Sequence, residues 1–326
     1  MQGKELSDQE AGVEYSVGID VSKSWLDVCL WPGGETRRLG NTPQGLRQLK
    51  RWLRGRVVAL VALEATGKWH RAAHRSLHAA GLAVAVLDPF RVRMFAKAQG
   101  ILAKTDRLDA RVLAMFAAMM EPRIRPPAPE ALEALQELVR ARHSATAQKT
   151  GLRNQMASAQ TSFLRHHLKQ RIARIDRDIA SLEAEIERRI DEVPSLAQRY
   201  RILISIPGIG PVVAAALLAC LPELGAASRR QIAMLAGLAP LPDDSGERQG
   251  PRRIKGGRSL PRSMLYLAAL SAKRANSDLG RFYRRLRELG KLPKVAIIAI
   301  ARKLLVLANT LIAENRNWTQ NPPSRA

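Results

Sequence analysis

Short stretches of alternating apolar and polar residues open the chain and predict three strands. Residues 1–13 show no such pattern and are expected to be disordered. Strands are predicted at Tyr15–Ile19, Leu26–Trp31 and Thr36–Leu39, with a turn at Pro32-Gly33-Gly34 before the third. Consecutive strands joined by so few residues pair in an antiparallel fashion.

Longer apolar runs follow and alternate with helical patterns. Val57–Leu63 and Leu82–Leu87 are apolar throughout, which is typical of strands buried on both faces, and Asp88-Pro89 ends the second of them. Helical spacing begins at Thr42, with Leu46, Leu49, Trp52 and Leu53 on one face, and recurs over Trp69–Ala80 and Leu102–Met120. Antiparallel strands followed by alternating helices and strands predict an α/β domain of ribonuclease H-like architecture over residues 14–121.

A helical connector is predicted over residues 130–195, after a proline-rich boundary. Its two helical patterns run over about Glu130–His166 and His167–Glu192. In the second, apolar residues recur in alternating steps of four and three: Leu168, Ile172, Ile175, Ile179, Leu182 and Ile186. This heptad stripe favours a coiled coil that dimerises the protein. A helical hairpin packed on its own chain is the alternative.

Residues 200–315 are predicted to form a mainly α C-terminal domain with a polar loop from Pro240 to about Arg258. Ile206-Pro207-Gly208-Ile209-Gly210 separates two of its helices, a pattern typical of a helix-hairpin-helix. In such a motif, Gly208 and Gly210 let the backbone approach a phosphate, and the next helix offers its N–H groups. A plain corner between two helices is the alternative.

The composition adds a strong positive charge. The chain has 53 Lys and Arg against 29 Asp and Glu, a net charge of +24, and a pI of about 11.2. Residues 201–326 alone carry 21 basic residues against 7 acidic ones. This excess indicates a polyanionic partner such as DNA or RNA, bound most strongly by the last third of the chain.

Several classes of protein are disfavoured by the sequence. Cys29 and Cys220 lie far apart in apolar stretches, which indicates reduced thiols rather than a disulfide scaffold or a zinc site. We expect no membrane span and no signal peptide, and therefore a cytoplasmic protein. Three histidines share one helix face, but neighbouring arginines favour a solvated or nucleic-acid-facing helix over a metal site: His70, His74 and His78.

Four acidic residues stand at strand ends or on one helix face. Asp20 closes the first strand, Glu64 ends an apolar strand, and Asp106 and Asp109 are one helical turn apart. A carboxylate after a buried strand is costly to desolvate unless it is paired or binds a cation. Such a set could hold two Mg²⁺ ions, which stabilise both the attacking and the leaving oxygen in phosphodiester cleavage. Asp106 as a helix cap and Glu64 as a turn residue remain alternatives.

The polar loop carries Ser245 close to a run of basic residues: Arg248, Arg252, Arg253, Lys255 and Arg258. A serine in such a loop could attack a phosphate while the cations stabilise the transition state. Loop serines are common, however, and no obvious base stands beside this one. The preceding pair Asp243-Asp244 adds negative charge for which the sequence offers no reason.

Taken in order, these segments resemble a known family. Gly18-Ile19-Asp20-Val21-Ser22-Lys23, Glu64-Ala65-Thr66-Gly67 and the segment from Lys104 to Arg111 look like the signature of DEDD insertion-sequence transposases. The segment from Ile206 to Gly210, Ser245-Gly246 and the segment from Ile254 to Gly257 look like the C-terminal domain of that family. The family is insertion-sequence family one hundred and ten, the bridge-RNA-guided recombinases, and the resemblance spans about residues 15–310.

The resemblance implies a DNA recombinase of a mobile element. It implies a RuvC-like N-terminal domain in which Asp20, Glu64, Asp106 and Asp109 bind Mg²⁺, and a nucleophilic Ser245 that forms a transient 5′-phosphoserine link. The serine and the acidic site would come from different protomers. A structured noncoding guide RNA would pair with target and donor DNA, in a tetramer of two dimers at the bacterial nucleoid.

Two other function classes remain open. A junction-resolving or structure-specific nuclease would use only the acidic site and leave Ser245 idle. A non-catalytic DNA- or RNA-binding scaffold would rest on the charge alone. Protein–DNA adducts distinguish the first from the recombinase, and Mg²⁺-dependent cleavage excludes the second.

Overall fold

A computed structural model of the protein describes residues 13–319, except residues 102, 104, 243, 247, 251 and 276. For residues 106, 107, 248, 249, 275 and 277 only the backbone is described. The chain divides into two compact units between Ala128 and Pro129. Of the residues predicted to be disordered, all but Val13 lie outside the described part.

The first unit is built on a mixed five-stranded sheet. Its strands are β1 (Glu14–Val21), β2 (Trp25–Trp31), β3 (Thr36–Gly40), β4 (Val57–Glu64) and β5 (Val84–Leu87), in the order β3-β2-β1-β4-β5. β1, β2 and β3 pair in an antiparallel fashion, whereas β4 runs parallel to both β1 and β5. The predicted mixed α/β class is confirmed, and this topology is consistent with a ribonuclease H-like nuclease domain.

Helices cover both faces of this sheet. Helices α1 (Pro43–Leu53) and α2 (His70–His78) pack on one face against Val17, Ile19 and other inward residues. Helices α3 (Pro89–Ala98) and α4 (Asp106–Met120) pack on the other face. Successive strand residues point to opposite faces. Gly18 and Asp20 therefore lie on the α4 face.

Two features of this unit differ from the sequence prediction. Asp88-Pro89 was expected only to end a strand, yet it also begins α3, because the Asp88 carboxylate accepts from the N–H groups of Phe90 and Arg91. The solvated face expected for α2 is wrong for His74. That ring is buried, and its Nε2 lies 2.9 Å from the carbonyl oxygen of Arg125.

The second unit begins with a long helical hairpin. Helix α5 spans Glu130–Ser158 and α6 spans Ser162–Asp191. The predicted break at His166–His167 is wrong, because α6 begins earlier, where the Thr161 hydroxyl accepts from the N–H of Leu164. The heptad stripe packs on α5 of the same chain, and ion pairs Arg142–Glu183 and Lys149–Asp176 join the two helices.

The rest of the second unit is a helical bundle. It contains α7 (Pro194–Ser205), α8 (Pro211–Cys220), α9 (Arg229–Leu235), α10 (Ser259–Ala275), α11 (Ser277–Glu288) and α12 (Pro293–Ala313). Contrary to expectation, α12 is long and apolar enough to cross a membrane. Ile300, Leu304, Leu305 and Leu311 are nevertheless fully buried among the other helices. Within this structure α12 is a core helix.

The region between α9 and α10 was predicted as a loop but forms a ribbon of short strands. These are β6 (Pro240–Leu241), β7 (Asp244–Ser245), β8 (Arg248–Gln249) and β9 (Arg253–Ile254). β6 pairs with β9, and β7 pairs with β8, both in an antiparallel fashion. We call residues 240–254 the serine ribbon.

Candidate active site

Two of the predicted carboxylates leave the sheet side by side. The register of β1 and β4 pairs Gly18 with Ala62 and Ile19 with Leu63, so the next residues along the two strands are Asp20 and Glu64. Neighbouring strands lie about 4.8 Å apart, and residues level with each other on parallel strands share a face. Asp20 and Glu64 therefore stand at one edge of the sheet, on the α4 face, and both are half-buried.

Helix α4 crosses the same face at very short range because β1 has a glycine there. A Cβ atom built on Gly18 would lie 2.1 Å from the carbonyl oxygen of Ala110 and 2.3 Å from the nitrogen of Ala114. Asp109 directly precedes Ala110 on α4, and Asp20 lies two residues beyond Gly18 on β1, so the crossing brings these two chain segments close together. The hydroxyl of Thr105 accepts from the N–H of Leu108 and caps this helix. Thr105 therefore fills the cap position that had been the alternative role for Asp106.

A further carboxylate on this face was not singled out from the sequence. Asp27 of β2 is the register partner of Asp20 and is buried. Its two carboxylate oxygens accept from Arg38, at 2.7 Å from Nε and 2.9 Å from Nη2. The alternation of β2 was the only sequence signal, since Asp27 interrupts an otherwise apolar strand. Its pairing with Arg38 gives it a structural role in holding β2 and β3 together.

The donor set suits a hard divalent cation. Carboxylate oxygens are the preferred ligands of Mg²⁺, and Asp20 and Glu64 stand on neighbouring strands at one edge of the sheet. The buried hydroxyl of Thr66, two residues beyond Glu64, makes no hydrogen bond to any part of the chain that the structure describes. Among the described side chains, no three His, Cys, Asp or Glu are grouped closely enough to hold a metal ion. That set includes Asp20, Glu64 and Asp109 but not the carboxylate of Asp106, so the four-carboxylate cage stays a prediction.

The loops that leave β1 and β4 are tied together by one side chain that the sequence did not reveal. Asn41 donates from Nδ2 to the carbonyl oxygens of Ser22 and Trp69, at 2.9 and 3.2 Å. Ser22 follows β1, and Trp69 precedes α2 at the end of the loop that follows β4. This bridge helps to fix the edge of the sheet on which the carboxylates stand.

Ser245 lies in the second unit, on the serine ribbon. It is exposed, it ends β7, and its register partner across the ribbon is Arg248. Gly246, with φ of +55°, follows it at the turn. Asp244 lies one residue earlier on the strand, so its side chain points to the opposite face from that of Ser245. Arg252 lies 3.8 Å from the Asp244 carboxylate, which offsets part of the negative charge that the sequence left unexplained.

The predicted phosphate-binding cations of the ribbon fall into two groups. Arg252, Arg253 and Lys255 are exposed. Arg258 instead donates to both carboxylate oxygens of Glu223, at 2.6 and 2.7 Å, and to the carbonyl oxygen of Cys220. The hydrogen bonds to Glu223 raise the pKa of Arg258, and together these contacts anchor the segment after the ribbon to the loop after α8. The side chain of Arg248 lies outside the described part.

The base of the ribbon depends on close glycine contacts. Gly237 has φ of +64°, and a Cβ atom there would lie 2.4 Å from the carbonyl oxygen of Gly256. A Cβ atom on Gly257 would lie 2.2 Å from the nitrogen of Gly237. The backbones at Gly237 and at Gly256–Gly257 are therefore in direct contact, which fixes the position at which the ribbon leaves the helical bundle.

Gly208 and Gly210, predicted to approach a phosphate, lie between α7 and α8. A Cβ atom on Gly208 would lie 2.5 Å from the Cβ of Ala272, so its missing side chain makes room for α10. Gly210 has no described atom within 4 Å of such a position, and no side chain caps α8 beside it. Of the two glycines, Gly210 is the one with space for a ligand.

The two thiols agree with the expectation of unpaired cysteines. Cys29 is buried and Cys220 half-buried, and both are free. Burial raises the pKa of both thiols, which disfavours the reactive thiolate.

Comparison with known proteins places both units in one family. Residues 17–164 match the family model of the IS110 DEDD transposase, and residues 200–284 match the model described as transposase of the IS116/IS110/IS902 family. The pilin gene-inverting protein of Moraxella bovis is 27% identical over 311 residues, which cover 92% of this chain and 96% of that protein.

Proteins of two insertion elements align over a shorter region. The 42 kDa protein of insertion element IS900 from Mycobacterium paratuberculosis is 34% identical over 142 residues, 41% of this chain and 35% of that protein. The 44.8 kDa protein of insertion element IS116 from Streptomyces clavuligerus is 32% identical over 142 residues, with 42% and 35% covered. The first match covers the first unit and extends into the start of the second, and the second match lies within the second unit. With both family models matched in order, this chain belongs to the IS110/IS116/IS902 family of transposases.

Proposed function

We propose that the protein cleaves and rejoins DNA strands through a covalent link to Ser245, with divalent cations held by Asp20, Glu64, Asp106 and Asp109. The observation that carries this proposal is the adjacent placement of Asp20 and Glu64 at one sheet edge, under a helix whose first turns bear the other two carboxylates. When bound, Mg²⁺ would stabilise charge on the attacking and leaving oxygens of the phosphodiester.

The serine step is a phosphoryl transfer. The Ser245 oxygen attacks the phosphorus and its proton passes to solvent or to a carboxylate of the assembled site. The P–O3′ bond breaks, and the leaving 3′ oxygen takes up a proton from solvent. The products are a 5′-phosphoserine and a strand with a free 3′-hydroxyl. Attack of another strand's 3′-hydroxyl on the phosphoserine then forms a new phosphodiester and releases the serine. The exposed guanidinium groups of Arg252 and Arg253 would stabilise the phosphoryl oxygens.

A dimer would bring the serine of one protomer to the acidic site of another. The α5–α6 hairpin is the proposed dimer element, since Ile172, Ile175, Ile179 and Leu182 remain only half-buried against α5 of their own chain. A second copy could cover these side chains, and two such dimers would form the proposed tetramer.

The proposed assembly includes a structured guide RNA together with donor and target DNA. The net charge of +24 exceeds what a soluble surface needs and suits two polyanions. The corner at Gly208–Gly210 would act as a helix-hairpin-helix phosphate grip through Gly210. The proposed division is a nuclease domain over residues 14–121, a connector over 130–195 and a serine-bearing domain over 200–315, in a protein of the bacterial cytoplasm and nucleoid.

The test is a search for the covalent intermediate. A DNA substrate carrying a nick close to the cleavage site should trap a protein–DNA adduct on a denaturing gel, and mass spectrometry should locate the bond on Ser245. Asp20→Asn and Ser245→Ala should each abolish the adduct, whereas Ser263→Ala should not, since Ser263 is an exposed serine on α10.

Cleavage by the Ser245→Ala variant at the wild-type rate, with no adduct in the wild type, would overturn the serine mechanism. That result would favour the hydrolytic nuclease that uses the acidic site alone. Sequencing of nucleic acid that copurifies with the protein tests the guide RNA, which requires one discrete RNA species.

A further inference from the structure

The ring of Trp69 is exposed beside the edge of the sheet that carries Asp20 and Glu64. Trp69 follows Glu64 by five residues, and 37% of its surface is open to solvent. It is a member of neither described apolar core of its unit. The exposed part of the ring is therefore available to contact a ligand.

Two lysine side chains flank this ring. The Lys23 ammonium lies 5.9 Å from the ring centroid and the Lys68 ammonium lies 5.1 Å from it. Lys23 comes from the loop after β1, and Lys68 from the loop after β4. An exposed aromatic ring with two cations close to it suits a nucleotide, whose base stacks on the ring and whose phosphates meet the ammonium groups.

The position of the ring is fixed by its backbone. The side-chain amide of Asn41 donates to the carbonyl oxygens of both Trp69 and Ser22. The Trp69 N–H donates to the carbonyl oxygen of Thr66 at 3.0 Å. Trp69 precedes α2, which lies on the face opposite α4. The ring thus stands at the carboxylate edge but on the α2 side of it.

We propose that Trp69, with Lys23 and Lys68, is a stacking site for an unpaired nucleotide of the DNA strand that is cut at the carboxylate edge. A strand whose phosphate reaches Asp20 and Glu64 continues over the edge towards the α2 side, where its flanking base meets the indole. The site holds the strand in place and takes no part in bond breaking. The identity of this strand, though not the existence of the site, rests on the proposed function.

The first experiment measures binding of a labelled oligothymidylate to the full-length protein. Trp69→Ala should weaken binding about 10-fold, as expected for the loss of one base–aromatic stack, and Trp69→Phe should retain most of the affinity. Lys68→Ala and Lys23→Ala should each reduce the salt dependence of binding, lowering the slope by about 0.7 per lost phosphate contact.

The second experiment asks whether the ring and a base interact directly. One abasic position is moved along the oligonucleotide. At a single position, loss of the base should weaken binding by the wild type about 10-fold but leave binding by Trp69→Ala unchanged. Oligothymidylate should also quench tryptophan fluorescence in the wild type and in Trp31→Phe, but much less in Trp69→Phe. Trp31 is a matched control because it lies at the end of β2 that is farther from Asp20 and Glu64, where its ring contacts Arg111.

The proposal is wrong if Trp69→Ala binds DNA as the wild type does, or if the abasic effect is the same in both proteins. It is also wrong if the coupling is found with oligouridylate and not with oligothymidylate, since the site would then serve RNA. These outcomes are separable from the serine mechanism. The Ser245→Ala variant should show the full Trp69–base coupling although it forms no adduct. Absence of the coupling in a wild-type protein that forms the adduct would overturn the Trp69 site alone.

Discussion

The close contact of Gly18 with α4 offers a sharp test of how the acidic site is built. In Gly18→Ala, the new Cβ would lie 2.1 Å from the carbonyl oxygen of Ala110 and 2.9 Å from the carbonyl carbon of Leu113. Both partners are backbone atoms of a helix, so no side-chain rotation relieves the overlap. Since protein Cβ atoms essentially never approach closer than 3.0 Å, α4 must move outward by about 1 Å.

That displacement has two measurable consequences. Overpacking of this kind costs about 1–3 kcal/mol, which lowers the melting temperature of a unit of this size by about 10 °C. Displacement of Asp106 and Asp109 by about 1 Å relative to Asp20 should lower the cleavage rate about 100-fold. The activity loss should persist at temperatures well below the new melting point, because it arises from geometry and not from unfolding.

The assay combines thermal unfolding with single-turnover DNA cleavage. Gly40→Ala is the matched control, since a Cβ atom there meets only the Thr42 side chain, at 3.5 Å, and should change neither quantity. Full stability and full cleavage activity in Gly18→Ala would refute the close crossing of β1 by α4, and with it the argument that brings the helix carboxylates to the sheet edge.

Three further predictions concern the second unit. Arg258→Met and Glu223→Gln should each lower the free energy of unfolding by about 1–3 kcal/mol, and a double-mutant cycle in urea should show coupling of about 1 kcal/mol; additive effects would contradict the ion pair. Gly208→Ala should destabilise the unit by about 2 kcal/mol, because the φ of Gly208 is +95° and the new Cβ would overlap Ala272. The control variant Gly210→Ala should change the stability by no more than about 0.5 kcal/mol. Equal effects of the two substitutions in calorimetry would be inconsistent with this packing. Hydrogen bonds from Arg188 and Arg189 lower the pKa of Glu185 from 4.5 to about 2, so its charge favours the folded state. The stability difference between wild type and Glu185→Gln, measured by urea unfolding, should be complete above about pH 4.5 and vanish as the pH falls towards 2; a difference that grows on acidification would have the wrong sign.

Local sequence patterns predicted most elements of the first unit because its buried strands appear in the sequence as apolar runs. The apolar runs in β4 and β5 identified buried strands, and Thr42 marked a helix start. Helix α3 was missed because Asp88-Pro89 ends one element and begins the next, and a stop signal was recognised without the start signal. Burial of His74 depends on Arg125, a partner 51 positions away, which no local pattern contains.

The second unit was harder to predict in two places: a turn between helices that contains no glycine or proline, and a region whose strands are very short. The turn between α5 and α6 contains only Ala159-Gln160-Thr161, so the helical period continued through it. The strands of the serine ribbon are two residues long, too short for any alternation to appear.

The candidate site was only half accessible from the sequence. Asp20 and Glu64 could be found because each ends an apolar strand. The crossing of α4 at Gly18, the pairing of Asp27 with Arg38 and the Asn41 bridge all join residues distant in sequence. Arg258 was predicted to bind phosphate because it lies in the basic run after Ser245. In the structure it instead pairs with Glu223, which is 35 positions away in sequence.

The central claim is that Asp20, Glu64 and the α4 carboxylates hold shared divalent cations at one sheet edge. Crystals of the protein with DNA, grown in Mn²⁺ and measured at the manganese absorption edge, test it directly. The account predicts anomalous peaks within about 2.3 Å of carboxylate oxygens of both Asp20 and Glu64, with Asp106 or Asp109 completing the site, and their loss in Asp20→Asn. Manganese bound elsewhere, with these carboxylates engaged only by protein side chains, would contradict it.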